Sequence, residues 1–122
     1  MSKASIRSEI MQLGREINSL ENNLNLYKKM NSKISNAINQ LTSANTSTMQ
    51  AYTLLGQYYQ SKAADKKISE IGDEQTSISS VINTLSGIIE ASNSKIESIV
   101  NSISRKRNQI EALRIALASI DD

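Results

Sequence analysis

The sequence predicts an all-α fold: one long antiparallel helical hairpin, a two-stranded coiled coil folded from a single chain. Three observations carry this. The 122 residues contain no proline, so nothing in the chain forbids very long helices. Aromatic residues are 3% of the chain, with no tryptophan or phenylalanine, so a core has to be built from Ile and Leu along seams rather than from large rings in a globule. Those Ile and Leu residues recur in alternating steps of four and three, the period of about 3.5 residues that marks a coiled coil. A chain of this length holds one domain.

The first helix is expected over about 4–41. Its seam runs through Ile6, Ile10, Leu13, Ile17, Leu20, Leu24, Tyr27, Asn31, Ile34, Ile38 and Leu41, and Asn31 is its single polar position. From Thr42 to Thr48 the chain turns rich in Thr, Ser and Asn, residues whose side chains compete for backbone hydrogen bonds and weaken helices. The seam phase nevertheless continues through Asn45, Thr48, Tyr52, Leu55 and Tyr59. The expectation is therefore a weakened segment, either breaking the helix or carrying it on to about 56.

The reversal is expected at about 56–61, where Gly56 loosens one helix and Ser61 caps the next, with Asp65 facing the positive end of the new helix. The second helix is expected over about 62–120, roughly 85 Å long. Its seam takes Ala64, Ile68, Ile71, Gln75, Ile78, Ile82, Leu85, Ile89, Ser92, Ile96, Ile99, Ile103, Lys106, Ile110, Leu113, Leu117 and Ile120.

Helices joined by a short link pack antiparallel. A register that pairs residue numbers adding to about 123 sets Ile10 against Leu113, Leu20 against Ile103 and Leu55 against Ile68, and also matches polar seam positions, Asn31 with Ser92 and Thr48 with Gln75. A register shifted by one heptad keeps the phase and brings Gly56 nearer the turn, but loses both polar matches.

The flanks of the seam are unequal. One side carries Met30, Ala37, Ala44, Ala51 and Tyr58 on the first helix and Val81 and Ile88 on the second; the other carries Lys28, Ser35, Thr42, Ser79, Ser86 and Asn93. The first flank is more apolar than two helices require. A two-helix hairpin also buries little surface per residue. Both facts point to a further helix docking there, from a partner or a second copy.

Chemistry is excluded more firmly than partners are. Without histidine or cysteine, the common general bases, nucleophiles and zinc-ligand sets are missing. Glu70, Asp73 and Glu74 share one helical stretch and read as a solvated face, since a metal needs oxygens converging from several elements. The four glycines stand apart and form no phosphate loop. No enzyme activity, cofactor or metal is expected. Fourteen basic against twelve acidic residues give no reason to expect nucleic acid, and Arg105, Lys106 and Arg107 point different ways around a helix. No run is apolar enough for a signal peptide or membrane span. A cytoplasmic protein is expected, and export would need a signal-less route.

A helical hairpin of this kind with an aromatic-x-small triplet at its reversal resembles the WXG100-like proteins of bacterial type VII secretion. Tyr59, Gln60 and Ser61 stand where that family has Trp-x-Gly, and Lys62, Ala63 and Ala64 are similar to the basic and small residues that follow it in one branch. That branch comprises the small helical accessory proteins encoded beside LXG polymorphic toxins. The resemblance implies a targeting partner, or chaperone, that binds the helical N-terminal domain of an LXG toxin, with or without a second small helical protein. It departs from the family at both defining positions, Tyr for Trp and Ser for Gly. No tyrosine follows Tyr59, so no Tyr-x-x-x-Asp/Glu export signal follows the second helix, and an accessory role is implied rather than that of the signal carrier. The competing expectation is a self-assembling coiled-coil spacer of a phage or cell envelope.

Overall fold

The computed structural model describes residues 2–58 and 62–120 and contains two helices, α1 (Lys3–Tyr58) and α2 (Lys62–Ala118), packed against each other as a helical hairpin. Ser2 starts α1: its hydroxyl oxygen accepts the Ser5 amide at 3.1 Å, satisfying one of the donors every helix start leaves open. Asp65 lies in the first turn of α2, where a carboxylate offsets the positive helix end. The capping role expected of Ser61 lies outside the described residues. At its far end α2 tightens, with Ile120 N–H donating to the Leu117 carbonyl at 3.3 Å. No helix among the described residues is long and apolar enough to cross a membrane.

The Thr-rich segment does not break α1, and the helix runs to Tyr58, beyond the outer expected limit of 56. One side chain of the segment bonds back into the helix instead of capping or breaking it. Thr46 donates its hydroxyl to the Thr42 carbonyl at 2.9 Å, so the side chain that could compete with the helix is satisfied inside it. Thr76, Ser77 and Thr84 on α2 do the same to the carbonyls four residues before them.

Two compact units divide the hairpin, one joining the stretch up to Met30 with that from Ser92 onward, the other being Asn31–Ala91. In the terminal unit Ile6, Leu13, Ile17, Ile99 and Ile103 are buried. Ile17, Ile99 and Ile103 form a cluster against which Leu20, Leu24, Tyr27 and Ile110 pack. Two interhelical ion pairs flank it. Arg107 reaches Glu21 at 2.6 Å and Lys106 reaches Glu16 at 2.9 Å. Lys106 occupies a seam position, and its side chain is long enough to carry the ammonium to Glu16.

The Asn31–Ala91 unit is leaner. Ala64, Ile71 and Gln75 are buried, while Ile34, Ile38, Leu41, Tyr52 and Leu55 are half-buried. Gln75 donates its amide to the main-chain carbonyl of Asn45 at 3.4 Å. This corrects the expected match with Thr48, which is exposed. Glutamine is long enough to reach a carbonyl already fixed by the helix, and that acceptor needs no side-chain ordering. Near the tip a Cβ on Gly56 would come within 2.9 Å of Ile68 Cδ1, so the two helices approach closely there.

The contacts Glu16 to Lys106, Asn45 to Gln75 and Gly56 to Ile68 all lie within a helical turn of the register that pairs numbers adding to about 123. The heptad-shifted register would carry Gly56 a full two turns away from Ile68.

Gly14, Gly72 and Gly87 lie inside helices, and a Cβ on any of them meets no atom within 4 Å. Alanine removes backbone freedom from the unfolded chain and adds no clash, so each Gly→Ala change should stabilise by about 0.5–1 kcal/mol. Gly56→Ala should gain less, because Ile68 has to change rotamer. Thermal melts followed by circular dichroism check this; a lower melting temperature for Gly72→Ala would contradict it.

Candidate docking flank

Val81 and Ile88 stand one heptad apart on α2 and therefore share one helical face. They are 50% and 42% exposed, high for β-branched residues beside a seam. On α1, Ala37 is half-buried while Ala44 and Ala51 are exposed. All five lie in the Asn31–Ala91 unit. Small residues at this heptad position let another backbone approach closely, and Val81 and Ile88 supply the apolar surface. Leaving them in water forgoes about 1 kcal/mol or more apiece that burial would return. No ionisable group belongs to this set, so its chemistry is that of a contact surface.

Tyr58 closes α1, but its side chain, like all of Tyr59, Gln60 and Ser61, lies outside the described residues. Met30 belongs to the terminal unit, where it helps line a groove of about 490 Å³. Leu20 and Tyr27 line it with Met30, as does Ile99, which is 5% exposed. Leu26, on the same groove, is 64% exposed. Of these residues sequence reasoning picked out only Met30 for contact. Leu26 sits on neither seam nor flank in the heptad count, and its signal was only that it is a leucine beside Tyr27.

The basic run on α2 is engaged within its own unit. Lys106 and Arg107 both face carboxylates of α1. The Glu16 carboxyl is held below its ordinary range, first by its hydrogen bond from Lys106 and then by one from Gln12, with partial desolvation opposing them. A carboxylate with a depressed folded pKa adds stability above the unfolded value, near about 4.3, and that stability is lost as pH falls through the folded value. The terminal unit should thus weaken on acidification below about pH 4, and Glu16→Gln should flatten that part of the profile. Urea melts across the acid range check this, and an unchanged slope in Glu16→Gln would contradict it.

Among the described residues no set of carboxylates converges as a metal site. Glu70 of the acidic stretch instead meets Lys67 at 3.5 Å on the helix surface. No protein-family model, curated protein or solved structure matches the chain.

Proposed function

We propose that this chain is a non-enzymatic interaction protein whose Ala37, Ala44, Ala51, Val81 and Ile88 flank receives a long helix of another protein. The observation that carries the reading is the pair Val81 and Ile88, large β-branched residues left half in water on one face. The leanness of the Asn31–Ala91 core supports it, because a third helix supplies apolar area that two helices leave unused. The resemblance to WXG100-like proteins supports a specific partner, the helical N-terminal domain of an LXG toxin, with this chain as its targeting chaperone for type VII secretion. In that role the chain binds in the cytoplasm and reaches the secretion machine with its cargo.

Co-expression with the products of the adjacent genes, followed by size-exclusion chromatography, tests this. A neighbour with a long helical N-terminus should co-elute with the chain in a defined complex. Failure of every neighbour to co-elute, with the chain alone monomeric, would overturn the reading. A defined homo-oligomer held by the same flank would replace it with a self-assembling coiled coil.

A further inference from the structure

The terminal unit's groove has a chemical character of its own. Its apolar lining is Leu20, Leu26, Tyr27, Met30 and Ile99, and its polar lining is Asn23, Lys95, Ser98 and Ser102. No carboxylate lines it. Lys95 is its one formal charge, and among the described residues Lys95 makes no ion pair. Lys106 and Arg107 in the same unit find glutamates, whereas Lys95 shares its lack of an ion pair with Lys28, Lys29 and Arg105 and differs from them in lining the groove.

We propose that this groove seats one helix of a partner protein, taking a large apolar side chain over Ile99 and a carboxylate at Lys95. The inference rests on the reading that the chain docks a partner helix, and adds the chemistry which that helix must carry. The groove follows α1 from Leu20 to Met30, about 15 Å or nearly three turns. That is the footprint of a helix lying lengthwise, and Leu26, largely exposed, offers it apolar surface. Charge sets the rest. An ammonium beside apolar surface attracts a carboxylate more strongly than it would in open water and repels a second cation. Asn23, Ser98 and Ser102 add donors that a carboxylate can use. Lys95 and Ile99 are one turn apart on α2, about 6 Å along its axis. The partner should therefore carry its acid and its large apolar residue three or four positions apart on one face.

Two fluorescent four-heptad helical peptides with the same leucine stripe, one edged with glutamate and the other with lysine, test this against the full chain. The glutamate peptide should bind about fivefold tighter in fluorescence anisotropy, and Lys95→Glu should abolish or invert that preference. Lys66→Glu, on the exposed surface of the other unit, changes net charge equally and should leave the preference intact. Leu26→Ser should weaken both peptides alike. Equal binding of the two peptides, or a preference that survives Lys95→Glu, would overturn the proposal. So would a dimer of the chain alone that Leu26→Ser dissociates, since a second copy would then fill the groove. If Lys95→Glu has no effect while charging Val81 and Ile88 still breaks the natural complex, the groove inference fails alone. If neither change affects that complex, the docking reading fails with it.

Discussion

Ile103→Ala is expected to lower the stability of the hairpin by about 2–4 kcal/mol. Ile103 is 5% exposed and belongs to the cluster it forms with Ile17 and Ile99. Removing its outer carbons loses their transfer energy and leaves space beneath the surrounding Leu20, Leu24 and Ile110. Two helices can close part of that space by shifting together, which holds the loss below the upper end of the range for large-to-small core changes. For a domain whose total stability is on the order of 5–10 kcal/mol, a loss of this size is readily measured. Urea denaturation followed by far-ultraviolet circular dichroism reads it directly. Val81→Ala, at an exposed site, should stay within about 0.5 kcal/mol in the same assay. A loss below about 1 kcal/mol for Ile103→Ala would mean that the seam is not packed around it.

The paired change Val81→Glu with Ile88→Glu should leave the hairpin folded and weaken partner binding by about 100-fold or more. The two effects separate because both side chains already face water in the free chain. In the complex each glutamate would have to be buried without a counter-charge, or hold the partner off. Helical content should match that of the unaltered chain, and co-elution with the partner should be lost. A complex that forms as tightly as before would place the partner elsewhere on the molecule.

Much of this architecture can be read from the chain, for a specific reason. A seam repeating every heptad confines Ile and Leu to one stripe, and two such stripes with a break between them leave few folds open. The stripe leaves two registers a heptad apart, and the contacts Glu16 to Lys106 and Gly56 to Ile68 separate them. What cannot be read this way depends on side-chain reach and local satisfaction. Thr46 looks like a helix breaker by type, yet its hydroxyl finds the Thr42 carbonyl. Gln75 was matched to Thr48 by position, but its length takes it to the Asn45 carbonyl. The exposed apolar pair Val81 and Ile88 was legible because heptad position alone puts both beside the seam. The groove was not, because Leu26 lies outside the positions that heptad logic tracks, and because a cation such as Lys95 reads as ordinary surface until its neighbours are known.

The absence of cysteine makes the proposed docking flank directly measurable. A single cysteine at Ala44, exposed and on the flank, and another at Ser80, exposed on α2 and off the flank, can each be timed for reaction with a thiol reagent in the free chain and in the co-purified complex. A docked helix should slow Ala44→Cys by tenfold or so relative to the free chain and leave Ser80→Cys unchanged. Equal reactivity of Ala44→Cys in the two states would contradict docking on this flank.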